Sequence, residues 1–290
     1  MPTINIRGTV IGYTDTGAPD GLPNAPAIVF GHGLLFSGWM FHSQITALRD
    51  RYRCVTIDWR GQGETPGAGG GFGMDSLCGD AVALITELGI APVHWVGLSM
   101  GGFVGQRIAA RRGELLRSLT LLDTSAEAET PGKARERRRL ALVQLLFGMK
   151  PVLGKVKPLL FGPVFLADPA SGDLVDEWVR QLRRSRRADL RKAVLGVVGR
   201  LPMTGEIAGI TVPTLVVVGA DDRATPPPHS ERVAARIPGA ALRVVPDCGH
   251  SSTLEQPAVI SGLLAEFLAE AQIPGRQGDG GGAVSLPGMT

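Results

Sequence analysis

One serine of the chain lies in a sequence context that suits nucleophilic catalysis. Ser99 is the centre of Gly97-Leu98-Ser99-Met100-Gly101, between a short apolar run and a longer helical pattern. A serine at such a strand-to-helix turn projects from the edge of a sheet, and the tight turn leaves little room for neighbouring side chains. Because the chain has 40 glycines, about 0.25 such segments would arise by chance. The prediction of Ser99 as a nucleophile therefore depends on the position of this segment between a strand and a helix.

A serine hydroxyl is a poor nucleophile and needs a base within hydrogen-bonding distance. The chain offers five histidines. His250 follows the last apolar run, His32 follows an early one, and His94 lies inside a run, which is typical of a core residue. His42 and His229 fall near helix starts and are assigned no role. Where a serine occupies this kind of turn, the chain order is serine, acid, histidine, and this order predicts His250 as the base.

Three aspartates are candidates for the acid that orients the histidine and stabilises the imidazolium. Asp221 and Asp222 follow the apolar run Thr214–Val218, at the edge of the sheet where the acid is expected. Asp123 follows the preceding run and is a rarer location for this acid. The spacing alone leaves these candidates open.

Backbone N–H groups must stabilise the oxyanion that forms when a hydroxyl attacks a carbonyl carbon. One donor is expected at Met100, directly after the serine. The second is expected in the loop Gly31-His32-Gly33-Leu34-Leu35, where we predict Leu34.

Short apolar runs, bounded by glycine, proline or aspartate, alternate with helical patterns along the chain. The runs are Ala27–Phe30, Cys54–Asp58, Val93–Val96, Leu119–Leu122, Thr214–Val218 and Ala241–Val245. The helical patterns are Met74–Leu88, Gly101–Arg111, Ser230–Arg236 and Val259–Glu270. Such runs are typical of strands covered by helices on both faces of a parallel sheet. With an antiparallel edge hairpin near Thr3–Ile6 and Val10–Thr14, we predict a mostly parallel, eight-stranded α/β sheet flanked by helices.

Residues 126–205, named the cap segment below, interrupt this alternation with helix-like sequence only. They hold 16 lysines and arginines against 8 acids, a formal charge of +8, which we interpret as a solvated helix face. Leu174, Trp178 and Leu182 recur every fourth residue and predict one face of an amphipathic helix. We predict a helical cap (lid) inserted into an α/β core formed by residues 1–125 and 206–272. The glycine-rich residues 273–290 predict a disordered tail.

These motifs resemble those of α/β-hydrolases of the esterase and lactonase group. The matching segments, between about Ile6 and Glu270, are His32-Gly33-Leu34, Asp58-Trp-Arg-Gly-Gln-Gly63, Gly97-Leu-Ser-Met-Gly-Gly102, Gly219-Ala-Asp-Asp222 and Gly249-His250. The residues around Ser99 and the turn Asp222–Pro227 are particularly similar to 3-oxoadipate enol-lactonases. The resemblance implies the α/β-hydrolase fold and selects Asp222 as the acid, with Asp221 a turn residue. Gln62 stands where relatives often have histidine.

The resemblance implies hydrolysis of a small to medium carboxylic ester or lactone through an acyl-enzyme, with no cofactor and no metal. A 3-oxoadipate enol-lactonase, a cofactor-free perhydrolase or a carbon–carbon bond hydrolase would use the same residues, whereas Ser99 disfavours dehalogenases and epoxide hydrolases. A ligand-binding or signalling protein on this scaffold is an alternative of another class. An anionic lactone would require a cap arginine or lysine turned inward. Apolar cap residues are candidates to line an acyl pocket: Leu140, Leu145, Leu146, Phe147, Phe161 and Phe165.

Composition narrows the classes of partner. Of 290 residues, 44% are hydrophobic and 20% charged, which is ordinary for a globular enzyme, and the net charge of +3 does not indicate nucleic-acid binding. No apolar stretch is long enough for a membrane span. Three scattered cysteines (Cys54, Cys78 and Cys248) and the absence of a signal-peptide pattern at the start predict reduced thiols in the cytoplasm. Nothing in the residues indicates an oligomeric state.

Overall fold

The structure is a computed structural model that describes residues 1–67 and 69–272. Its strands β1 to β8 are Thr3–Ile6, Thr9–Asp15, Ala27–Gly31, Arg53–Ile57, Val93–Leu98, Leu116–Leu122, Thr214–Gly219 and Ala241–Val245. They form one sheet in the order β1-β2-β4-β3-β5-β6-β7-β8. The pairs β1–β2 and β2–β4 are antiparallel and all others are parallel, which confirms the predicted sheet and its edge hairpin. The predicted tail, residues 273–290, lies outside the described residues.

Helices cover both faces of the sheet. Helices α1 to α11 are His42–Leu48, Met74–Glu87, Met100–Arg111, Pro131–Phe147, Leu153–Leu160, Pro163–Ala167, Gly172–Arg184, Arg187–Val198, Pro227–Arg236, Ser252–Glu255 and Pro257–Glu270. In β3, Ala27 and Val29 join the core cluster that contains α2 and α3, whereas Ile28 and Phe30 join the cluster that contains α1 and α11. Successive side chains of a strand point to opposite faces, so both faces of β3 must be apolar.

The cap segment contains α4 to α8, and the described residues from 124 to 212 contain no strand. The apolar face of α7 packs against the loop after β3. Trp178 is fully buried there, its indole N–H donates to the carbonyl oxygen of Leu35 at 3.0 Å, and its ring lies near those of Phe36 and Phe161. The amphipathic helix predicted around Trp178 is therefore present. The division into a core and an inserted cap stays a prediction.

Two further observations concern the described residues as a whole. Cys54, Cys78 and Cys248 are buried free thiols. Among the helices that the structure describes, none has the length and apolar character needed to cross a membrane.

Candidate active site

Ser99 occupies a strained turn between β5 and α3. Its φ of 50° and ψ of −105° lie in a region that residues with side chains rarely adopt, and its N–H donates to the carbonyl oxygen of Leu122 at 2.8 Å. A Cβ atom at Gly97 would lie 2.3 Å from the carbonyl oxygen of Gly101. One at Gly101 would lie 1.8 Å from the carbonyl oxygen of Gly31. Both flanking glycines are therefore required by close backbone approach.

His250 and Asp222 form a buried hydrogen-bonded pair. The distance from His250 Nδ1 to Asp222 Oδ2 is 2.8 Å, and the side chains are 5% and 0% exposed. The other carboxylate oxygen, Oδ1, accepts the backbone N–H groups of Ala224 and Thr225 at 2.8 and 2.9 Å. The Thr225 hydroxyl donates to Oδ2 at 2.9 Å. Asp222 is thus fixed as an acceptor for the Nδ1–H of His250, which leaves Nε2 of the ring as the basic nitrogen.

The pKa values of the pair are shifted in opposite directions. Burial raises the pKa of Asp222, but the charge of His250 and the hydrogen bonds of the carboxylate outweigh this and hold the pKa below its ordinary value. Burial lowers the pKa of His250, but the Asp222 carboxylate outweighs this and the pKa lies above its ordinary value. A carboxylate beside an imidazole with raised proton affinity is an arrangement suited to general base catalysis.

The other two candidate acids are directed elsewhere. Asp123 is fully buried, with Oδ1 accepting the N–H of Gly219 at 2.9 Å and Oδ2 accepting the hydroxyl of Ser252. Burial raises the pKa of Asp123 well above its ordinary value, and the charge of Asp222 adds to the rise. Within the described residues, neither Asp123 nor Asp221 makes a side-chain hydrogen bond to His250. Of the three aspartates, the structure brings Asp222 to the histidine.

His32 lies in the loop after β3 as a structural residue. Its Nδ1 bonds to the carbonyl oxygen of Gly33 at 2.7 Å, and its Nε2 accepts the backbone N–H of Trp59 at 3.0 Å. These partners require a proton on Nδ1 and none on Nε2. Burial lowers its pKa to about 3, so the ring is neutral near pH 7. His94, predicted as a core residue, is fully buried and bonds to the hydroxyl of Ser118 at 2.8 Å.

The two predicted oxyanion donors are the backbone N–H groups of Leu34 and Met100. Leu34 lines the same cavity as Ser99, and Met100 is the first residue of α3. In the part of the chain that the structure describes, neither backbone N–H donates to another protein group. The Leu34 loop is held in place by Gln62, whose Oε1 accepts the N–H of Leu35 at 2.7 Å. Leu35 has a positive φ of 69°. No motif in the sequence indicates this role for Gln62.

Ser99, Leu34 and His250 line a cavity of about 110 Å³. Most of its other lining side chains are apolar and come from the cap segment. Of the six apolar residues named as candidates to line an acyl pocket, only Leu140 lines this cavity. Phe161, for example, is buried between Phe165, Phe36 and Trp178, and Leu146 and Phe147 are exposed.

Arg137, on α4, is the only lysine or arginine among the described residues that line this cavity. Its guanidinium donates to Glu129 and, at 3.4 Å, to the carbonyl oxygen of Ala224. Arg200 also donates to Glu129, at 3.2 Å, and its guanidinium lies 4.3 Å from the ring centre of Phe103. One carboxylate therefore serves two guanidinium groups, which leaves one positive charge beside an apolar cavity. Sequence alone could not distinguish Arg137 from its basic neighbours on the same helix.

Comparison with known proteins agrees with the fold. A family model described as alpha/beta hydrolase fold matches residues 26–257. A Mycobacterium tuberculosis protein named non-heme bromoperoxidase BpoC is 30% identical over 268 residues, covering 90% of this chain and 98% of its own. A thermophilic esterase from Thermogutta terrifontis (TM-score 0.85, 26% identity) covers 94% of this chain and 99% of its own. The enol-lactonase from Burkholderia xenovorans LB400 (TM-score 0.85, 26% identity) covers 92% of this chain and 100% of its own. The described residues contain no cluster of His, Cys, Asp and Glu that could hold a metal ion.

Proposed function

Because the chain belongs to the α/β-hydrolase fold family, we propose that it is a serine hydrolase of carboxylic esters or lactones that works through an acyl-enzyme. The observation that carries this proposal is the buried Asp222–His250 pair, whose histidine lines one cavity with Ser99. Solved structures of an esterase and an enol-lactonase with the same fold support the substrate class. The apolar lining of the cavity favours small to medium esters with apolar arms.

The proposed reaction begins when the Ser99 hydroxyl attacks the ester carbonyl carbon and His250 Nε2 accepts its proton. The carbonyl oxygen becomes an oxyanion that accepts the N–H groups of Leu34 and Met100. The intermediate collapses, the carbon–oxygen bond to the alcohol breaks, and His250 returns the proton to the departing oxygen. Water then attacks the acyl-enzyme with His250 again as base, which releases the acid and the serine. Asp222 keeps Nδ1 protonated and stabilises the imidazolium in both halves.

This proposal is tested by measuring ester hydrolysis by the wild-type enzyme and by the variant Ser99→Ala. Wild-type enzyme should show a burst followed by steady release of p-nitrophenol from p-nitrophenyl butyrate, because the acyl-enzyme accumulates. Ser99→Ala should lose the burst and all but the residual catalysis of ~10³–10⁴-fold over water that binding and oxyanion donors provide. Ser43→Ala, an exposed position on α1, is the matched control. Wild-type turnover by purified Ser99→Ala enzyme would refute the proposal.

A small anionic lactone is a second candidate substrate, and Arg137 favours it. The unshared positive charge of the Glu129, Arg137 and Arg200 group lies at the cavity wall, and an anionic substrate would compensate it. Arg137→Gln should then lower kcat/KM for p-nitrophenyl hemisuccinate about tenfold and leave p-nitrophenyl butyrate nearly unchanged. Arg139→Gln, exposed on the same helix, is the control. If both esters change equally in Arg137→Gln, this candidate is wrong.

A further inference from the structure

A second cavity, of about 310 Å³, adjoins the catalytic one inside the cap segment. Gln144, Met149 and Leu190 line both cavities. These residues come from the end of α4, the connection that follows it and the first turn of α8. The two spaces therefore share part of their walls, and two of the shared residues, Gln144 and Met149, have long, unbranched side chains. A methionine side chain adapts its rotamer readily to fill or open a gap.

The second cavity has an apolar body and a basic mouth. Phe147, Leu153, Val179 and Leu182 supply its main apolar side chains. Its cationic lining residues, all exposed to solvent and together named the basic mouth, are Lys150, Arg183 and Arg187. The described residues that line it include no aspartate or glutamate.

The cations of the mouth are only weakly engaged by the protein. Arg187 donates to the carbonyl oxygen of Leu146 at 3.3 Å, which neutralises no charge. Within the described chain, Lys150 and Arg183 have no salt-bridge partner. Three positive charges at one opening attract an anion by their summed field. An apolar body directly behind them accepts a hydrocarbon chain, since apolar surface removed from water is favourable by about 25 cal/mol per Å².

We propose that the second cavity is a substrate subsite, which takes an apolar arm of the ester and binds an anionic group, such as a carboxylate, at the end of that arm. This inference rests on the proposed ester hydrolysis at Ser99. The arm passes between Gln144, Met149 and Leu190, while the ester group stays beside Ser99. Among anionic esters, this subsite then favours ω-carboxy esters with longer arms over short ones, because the carboxylate of a longer arm reaches the basic mouth. Short anionic esters end inside the catalytic cavity, where Arg137 is the available cation, so chain length separates the two sites.

Two matched series of p-nitrophenyl esters test the subsite. One series contains neutral acyl chains of 4 to about 12 carbons, and the other contains half-esters of α,ω-dicarboxylic acids of the same lengths. Wild-type kcat/KM should favour the anionic member increasingly as the chain lengthens. The double variant Arg183→Gln/Arg187→Gln should reduce this preference for the longest pair about tenfold, since an exposed charge contributes roughly two- to fivefold. Arg135→Gln, exposed on α4 and outside both cavities, should not reduce it.

A second variant tests the passage between the cavities. Met149→Trp should lower kcat/KM for long chains of both series at least tenfold relative to p-nitrophenyl acetate, because the indole obstructs the passage between the two cavities. The inference is overturned if Met149→Trp affects all lengths equally, or if the double variant keeps the wild-type preference for long anions. Wild-type enzyme that hydrolyses short neutral esters without any length or charge preference would also overturn it, while leaving the proposed function intact. Wild-type enzyme that hydrolyses no ester would instead refute the proposed function.

Discussion

Replacing Asp222 by asparagine changes the tautomer of His250 without removing the hydrogen bonds that shape the turn. Asparagine keeps an oxygen that can accept the backbone N–H groups of Ala224 and Thr225, as Oδ1 does now. The Thr225 hydroxyl, which lies 2.9 Å from both Asp222 Oδ2 and the carbonyl oxygen of Asp123, can donate its one proton to Asp123 in the variant. The atom facing His250 becomes an NH₂ group, however, and it donates to Nδ1. The imidazole proton must then sit on Nε2, which can no longer accept a proton from Ser99.

The expected loss follows from this tautomer change. In a serine protease the equivalent exchange lowers kcat by ~10⁴-fold, which is about 5.4 kcal/mol at 1.36 kcal/mol per factor of ten. We expect a similar loss here because the carboxylate is completely buried and bonds directly to His250 Nδ1. The free energy of unfolding should change much less than the activation free energy, because the two backbone hydrogen bonds to Oδ1 keep their direction and only the two at Oδ2 reverse.

Three single variants measured side by side decide the role of each aspartate. Asp222→Asn should lower kcat for p-nitrophenyl butyrate about 10⁴-fold at saturating substrate, with a Tm close to that of the wild type. Asp123→Asn should stay within about tenfold, because burial and Asp222 already disfavour a charge on Asp123, and asparagine can still accept the N–H of Gly219. Asp221→Asn is the matched control, because the half-buried Asp221 makes no side-chain hydrogen bond in the described structure. A mild Asp222→Asn beside a severe Asp123→Asn would refute this reasoning.

Three further predictions follow from the site. Only neutral His250 can accept a proton, and its pKa lies above the ordinary value. Wild-type kcat/KM should therefore rise with pH through a midpoint above that of a free histidine, and a flat profile from pH 5 to 8 would contradict a histidine base. Gln62→Ala removes the acceptor of the Leu35 N–H, so we expect a loss of about 1–3 kcal/mol in stability and a lower kcat, measured by denaturant unfolding and steady-state kinetics. Gly101→Ala places a methyl group against backbone and should cost about 3 kcal/mol or more, whereas Gly154→Ala, with open space around it, should leave the unfolding midpoint unchanged or higher.

The sheet and the positions of the chemical groups were predictable because they depend on short-range patterns. Strands that are buried on both faces are apolar at most positions, and the turns at their ends are rich in glycine, proline and aspartate. The carboxyl ends of parallel strands share one edge of a sheet, so Ser99 after β5, Asp222 after β7 and His250 after β8 were expected to meet. The choice of Asp222 over Asp221 depended on resemblance, since both residues follow the same strand.

Two features were missed because polar residues take part in buried packing. For helix α1 only a start near His42 was predicted, not its extent. Gln44 is a polar residue on the buried face of this helix, where an apolar residue would be expected. Its amide donates to the carbonyl oxygen of Thr253 at 3.2 Å, a contact between segments far apart in the chain. Gln62 likewise looks like an ordinary loop residue until the structure places its amide against Leu35. A hydrophobicity pattern cannot reveal a polar side chain that bonds to a distant backbone group.

In the cap segment, the sequence could not predict which basic residue faces the catalytic cavity, because the basic residues follow one another closely. Arg137, Arg138 and Arg139 are adjacent on α4, and only the first of them lines the catalytic cavity. Successive residues of a helix point about 100° apart, so a small rotation of α4 would exchange the inward residue. That rotation is set by packing between α4 and α8, far apart in sequence. The proposed chemistry thus depends on strand ends that a motif can identify, whereas substrate preference depends on helix orientation, and variants at cap positions should alter kcat/KM ratios between substrates more than the burst of a good ester.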